Sequence, residues 1–246
     1  MKVVPTVKQS IIPVALLVIA TALATPASAV ITTFASFTAP TADSFVFTNT
    51  GTATSGFVLS PTPANVTFNY TTGISNGYGP ANTPIAARMT FSATVNGFGT
   101  VVGPFTEQPL QNIVMSINAV TPVNGMTNLL SFTAATGTAF GRTGSGAFSL
   151  TIDTGLGNTL VYNSAFVAFP NSVERELNFG FTSSVPTFQL AGASGSSYLR
   201  SLNADGNGNF AADPQPIAVM VPEAGTIALT ATGLMLLGGM VLRRRK

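Results

Sequence analysis

Apolar residues in the central part of the chain recur at every second position, a period that admits half-buried strands and not helices. Val66, Phe68 and Tyr70 alternate with Thr67 and Asn69, and Met89, Phe91, Ala93 and Val95 alternate with Thr90, Ser92 and Thr94. The pattern returns at Ile113, Met115 and Ile117, at Phe148, Leu150 and Ile152, and at Leu177, Phe179 and Phe181. Shorter apolar runs at 45–47, 57–59, 129–132 and 160–162 read as further strands. Asn76-Gly77, Asn96-Gly97, Asn124-Gly125, Asp205-Gly206 and Asn207-Gly208 supply the positive-φ residues of tight hairpins between them.

Short strands with one apolar face each must bury that face, and two packed antiparallel sheets do so. The expected fold is therefore all-β, an antiparallel β-sandwich of jelly-roll type spanning residues 30–203, with helix only at the chain ends. Residues 204–220 contain Gly206, Gly208, Pro214 and Pro216 and read as a last hairpin followed by a tether.

Composition narrows the chemistry. The chain has 246 residues, only 7% of them charged, and lacks Cys, His and Trp altogether. Disulfides, thiolate nucleophiles, His-based triads and zinc sites built on Cys or His are thereby excluded. Of the 10 Lys and Arg residues, six stand near the ends: Lys2, Lys8, Arg243, Arg244, Arg245 and Lys246. Between Val30 and Val221, Arg88, Arg142, Arg175 and Arg200 face Asp43, Glu107, Asp153, Glu174, Glu176, Asp205 and Asp213, leaving a net charge of −3. With no basic stripe to meet phosphates, nucleic acid is not an expected partner.

The ends carry addresses. Lys2 and Lys8 precede an apolar run from Ile11 to Ala24, and Ala27 and Ala29 occupy the small-residue positions of a signal-peptidase site. Residues 1–29 thus read as a signal peptide for the secretion machinery. Residues 227–242 are free of charge and are followed by Arg243, Arg244, Arg245 and Lys246. As a helix this segment reaches about 24 Å, enough to span a bilayer when the basic side chains snorkel. The basic run belongs on the cytoplasmic side, which puts residues 30–221 outside the inner membrane.

Just before that helix stand Val221, Pro222, Glu223, Ala224, Gly225 and Thr226. This order of Pro-Glu-x-Gly, apolar helix and terminal arginines resembles the PEP-CTERM sorting signal of Gram-negative bacteria. The resemblance is confined to residues 221–246, and Ala224 stands where that family usually has a second Pro. It implies recognition by a membrane-embedded exosortase and a product released to the cell surface or matrix. Independently of the resemblance, Pro222 and Gly225 keep the motif unwound at the membrane surface, where an enzyme can grip its backbone.

Candidate sites in the body are sparse. Glu174 and Glu176 lie at alternate positions of one strand with Arg175 facing the other way, which suits a solvated face better than the opposed carboxylates of a glycosidase. Asp205, Asn207, Asn209 and Asp213 resemble the start of a calcium loop, yet Phe210 and Pro216 occupy its diagnostic positions, so no metal site is assigned. Tyr78, in a Gly-rich loop, is the best placed ring for stacking on a sugar. The expected function is a non-enzymatic, cofactor-free surface or matrix protein associated with exopolysaccharide, because PEP-CTERM proteins tend to occur in bacteria that make it. A carbohydrate-binding module of the same fold is the alternative, and a hydrolase built on Asp43, Glu107, Asp153, Glu174, Glu176, Asp205 or Asp213 ranks third.

Overall fold

The computed structural model describes residues 31–39, 42–60, 62–71, 82–154, 157–170, 172, 174–193, 195–213 and 217–218. The expected signal peptide, Tyr78, the expected turn at Asn76-Gly77 and the expected sorting signal with its apolar segment and basic tail lie outside those residues. Within them the fold is all-β and antiparallel, as the period-two pattern requires.

Strands β1 (Thr32–Thr38), β2 (Phe45–Thr48), β3 (Gly56–Leu59), β4 (Ala64–Tyr70) and β5 (Ile85–Val95) form the first part. A three-residue strand, β6 (Thr100–Val102), leads into the long hairpin of β7 (Phe105–Val123) and β8 (Met126–Arg142). There follow β9 (Phe148–Asp153), β10 (Leu160–Asn163), β11 (Val167–Ala168) and β12 (Glu174–Val185). After the small pair β13 (Leu190–Ala191) and β14 (Tyr198–Leu199), the chain ends its described part with β15 (Leu202–Asp213) and β16 (Ile217–Ala218). Asn124 and Gly125 turn the long hairpin with φ of 51° and 78°, the pair of left-handed residues that a two-residue turn needs.

The strands do not separate into two sheets. Ladders run from β1 to β4, β5, β7, β8, β9, β12 and β15, and β15 pairs back to β1, so the sheet closes on itself. Closure is possible because β5 and β15 are long enough to hold two partners along one edge. Residues 207–212 of β15 pair with β1 and residues 202–204 with β2, while β5 takes β4 and β3 in the same way. From β4 to β15 the circuit follows chain order as a meander, whereas a jelly roll is built from Greek keys.

Phenylalanine fills the interior. Phe179 of β12 lies 5.1 Å from the ring of Phe37, 5.2 Å from Phe91, 6.2 Å from Phe45 and 6.3 Å from both Phe132 and Phe210. Rings from β1, β2, β5, β8 and β15 thus meet on one side chain. Burying each such ring contributes about 1.5–3 kcal/mol, and favourable ring pairs add about 0.5–1.5 kcal/mol.

That interior corrects the reading of 204–220. Asp205-Gly206 and Asn207-Gly208 do not turn a hairpin; they lie inside β15, paired with β12 on one side and, from Asn207, with β1 on the other. The body accordingly continues to Asp213, beyond the boundary expected at 203. The glycines serve packing. A Cβ on Gly206 would overlap the Phe45 ring, and one on Gly208 would overlap Phe37 and Phe179. A strand glycine costs about 0.5–1 kcal/mol in chain entropy, less than the ring burial it permits.

Gly208→Ala should therefore cost at least about 1–3 kcal/mol in urea or thermal unfolding, by overpacking. Asn207→Ala, at an exposed strand position, should change stability by no more than about 0.5 kcal/mol. A hairpin tip would give the opposite order, with Asn207 the more sensitive residue.

Candidate functional site

The cleavage residues Ala27 and Ala29, the motif Val221 to Thr226 and the tail Arg243 to Lys246 lie outside the described residues, as does Tyr78. No helix among the described residues is long and apolar enough to cross a membrane. What the structure places is the surface of the body.

Glu174 and Glu176 stand on the outer face of β12, with Leu177, Phe179 and Phe181 pointing inward between the outward residues. Strand register adds a carboxylate that sequence spacing hides. Glu174 pairs with Asp213 of β15. Residues directly opposite in antiparallel strands share a face, so Asp213 joins Glu174 and Glu176 on the outer wall. These acids lie side by side on one face, which does not give the two-sided approach of a glycosidase.

Asp205, Asn207 and Asn209 alternate along β15 in extended chain, a straight row and not a loop curled around a cation. The Asp205 carboxylate already accepts the Asp43 amide at 2.7 Å. Asp213 lies at the other end of the strand. Among the described residues no group of three or more acids converges in a geometry that could hold a metal ion.

A shallow groove of about 180 Å³ opens beside Glu176. Its origin is a β-bulge. Between Thr33 and Ala35 the register of β1 against β15 shifts, and both Phe34 and Ala35 turn inward. Ala211 of β15 then forms a low floor between Thr33 and Ile31 on one side and Glu176 on the other, with Asn178 and Asn209 at the end. These side chains offer donors and acceptors to a ligand with hydroxyl groups.

The groove belongs to a wider polar face. Register aligns Asn69, Ser36, Asn209, Asn178, Thr151 and Thr138 in one row across β4, β1, β15, β12, β9 and β8. The Thr, Ser and Asn content of the outward positions was visible in the sequence; their alignment across six strands was not.

Behind this wall, Tyr162 of β10 is buried against Phe34 and Phe169, at 5.5 Å and 5.4 Å between rings, and its hydroxyl donates to the Glu176 carbonyl. Burial pushes its pKa well above the ordinary 10.0, with nearby Arg175 opposing the shift.

The sign of the pH effect follows. Below pH 10.0 the phenol is neutral folded or unfolded, and the shift has no effect; above it the unfolded chain ionises first and stability falls. Tyr162→Phe should cost about 0.5–1.5 kcal/mol at neutral pH through the lost hydrogen bond. In urea titrations above pH 10.0, wild-type stability should fall more steeply with pH than that of the variant. Comparison with known proteins finds no matching family model, no matching curated protein and no matching solved structure.

Proposed function

We propose that this chain is an exported, non-enzymatic protein of the cell surface or extracellular matrix. Signal peptide 1–29 carries it through the inner membrane, helix 227–242 retains it, and an exosortase processes it at Val221 to Thr226. One observation on the body supports this reading more than any other. Thr32 pairs with Ala212, so the chain enters and leaves the closed sheet at the same rim, three residues after Ala29 and nine before Val221. The pairing of β16 with β11 keeps the outgoing chain on the body as far as Ala218, three residues before Val221. That arrangement suits a body held at the membrane by both ends until signal peptidase acts.

For the body itself we infer a flattened, sandwich-like form of the closed circuit, with β5 and β12 in facing walls. The Phe91 and Phe179 rings, from strands on opposite sides of the circuit, lie 5.2 Å apart and support it. Its Thr, Ser and Asn exterior hydrates through neutral groups and suits life among exopolysaccharide chains. The second reading, a carbohydrate-binding module, is favoured by the six-strand polar row and the groove at Glu176. Hydrolysis by Asp and Glu ranks third, since Glu174, Glu176 and Asp213 lie side by side on one face.

Mass spectrometry of the protein recovered from cell fractions tests the proposal. The expected extracellular product begins at Val30 and lacks Arg243 to Lys246. An extracellular product with the intact basic tail would end the processing step, and a full-length chain free in the cytosol would end the proposal.

A further inference from the structure

Beside β6 the exterior changes character. Among the described residues β6 pairs only with β7 and so ends the sheet. On the outer face there, Val102, Phe105 and Phe140 stand with 61%, 40% and 37% of their surface exposed. Exposed valines elsewhere, such as Val58, Val114 and Val161, are separated along their row by Ser92 and Thr133. Beside β6 the apolar side chains cluster: the Phe105 and Phe140 rings stack at 5.0 Å and 21°, and Val102 lies directly opposite Phe105. Exposed rings gathered on an exterior otherwise rich in Thr, Ser and Asn mark an interaction surface.

Charge stands on the same spot. Register sets Arg142 opposite Phe105 and Glu107 opposite Phe140. The four side chains form a two-by-two block on the outer face, with the rings on one diagonal and the opposite charges on the other. Neither the Glu107 carboxylate nor the Arg142 guanidinium has a hydrogen bond or ion pair among the described residues. Arg175 differs: it is half-buried, its Nη1 donates to the Leu160 carbonyl at 2.9 Å, and the groove over it is lined by Tyr162 and Phe169. Arg142 is exposed and keeps its charge for a partner.

We propose that this face binds a second copy of the same chain as a two-fold dimer. A two-fold axis in the plane of the face, along the ring diagonal, lays each ring over its own copy and exchanges the other two corners. Glu107 of one copy then meets Arg142 of the other, twice. Sheets stacked face to face lie about 10 Å apart, a gap that a glutamate and an arginine bridge from opposite sides. The block carries one charge of each sign, so it is complementary to itself, whereas a partner of single charge would leave one of the two unmatched. Val102, Phe105, Glu107, Phe140 and Arg142 are five residues a side, against about 20–30 in a standard interface, so the dimer is weak in dilute solution. Copies held close together on one surface raise its occupancy. The contact itself rests on the body alone; its use on a crowded surface rests on the exported reading.

The test is analytical ultracentrifugation of the purified full-length protein in detergent, at concentrations up to about 1 mM. The wild type should form a dimer as concentration rises. Glu107→Arg and Arg142→Glu each bring like charges together twice and should raise the dissociation constant about tenfold or more. Mixed in equal amounts, the two variants should associate with each other, because each reversed position then faces its complement. The double variant should dimerise as the wild type does. Misfolding cannot give either restoration, nor can association through residues 227–242. Phe105→Ala, at an exposed position, should weaken the dimer with the melting temperature little changed, which keeps the test valid if a reversal folds poorly. A dimer that survives either reversal, or a mixture of the two variants that stays monomeric, would overturn the proposal. A monomeric wild type would also overturn it and leave the rings to a partner of other chemistry, such as the C–H face of a sugar. Cytosolic location would sink the exported reading while leaving the charge-reversal result intact, so the two failures are distinguishable.

Discussion

Packing around the Phe179 ring sets the terms for the rest of the structure. A sheet that closes on itself must fill its interior, and here the filling comes from aromatic rings on β1, β2, β4, β5, β8, β12 and β15. Large rings from many directions leave no room for side chains on every strand. β15 yields: its inward residues run Leu202, Ala204, Gly206, Gly208, Phe210 and Ala212. β8 makes a similar concession with Ala134, Gly137, Ala139 and Gly141. Without those small residues the rings would force the walls apart, and the β15 to β1 ladder that closes the circuit would be strained.

That complementarity of large and small explains what the sequence revealed and what it hid. Strands with apolar residues at each inward position, such as β4, β5, β9 and β12, were legible from period two alone. β15 was not, because its inward glycines carry no hydropathy and Asp-Gly and Asn-Gly mimic turns. β1 escaped because its bulge buries Phe34 and Ala35 together and breaks the alternation. The first half of β7 escaped because polar side chains take inward places. Thr106 bonds to Thr143 at 2.8 Å, and Gln108 donates to the Gly97 and Pro109 carbonyls and accepts from Leu199 N–H. At Asn112, with φ 54° and a register shift against β5, the inward phase then resets between Leu110 and Ile113. Of the sites, Glu174, Arg175 and Glu176 were legible as alternating faces of one strand. The placing of Asp213 beside Glu174, the floor at Ala211 and the groove over Arg175 depend on pairings across long stretches of chain, which no local pattern encodes.

Closure also orders events during folding. The β1 to β15 ladder joins Thr32 to Ala212, nearly the whole length of the body, and such long-range contacts form late because the intervening chain must first be organised. Within β1, Ala35 to Thr38 also pair with the nearby β4, whereas Thr32 and Thr33 gain their ladder partners only when β15 is in place. The same ladder then brings both ends of the body to one rim.

The low charge gives closure a second role. With only 7% charged residues, copies of this protein are not kept apart by strong electrostatic repulsion. An open sheet with a Thr, Ser and Asn face would present unpaired N–H and C=O groups along its edges and recruit further strands. A circuit satisfies those groups internally, leaving short strands such as β6 and β10 outside the main ring. Beside β6 the exposed rings of Phe105 and Phe140 stack on each other at 5.0 Å, which reduces the apolar surface each would present alone. Paired sheet edges without charge thus follow from the same closure that the aromatic interior demands. The exterior is then free to carry neutral hydrogen-bonding groups in register across six strands, a surface whose hydrogen bonds are little screened by salt.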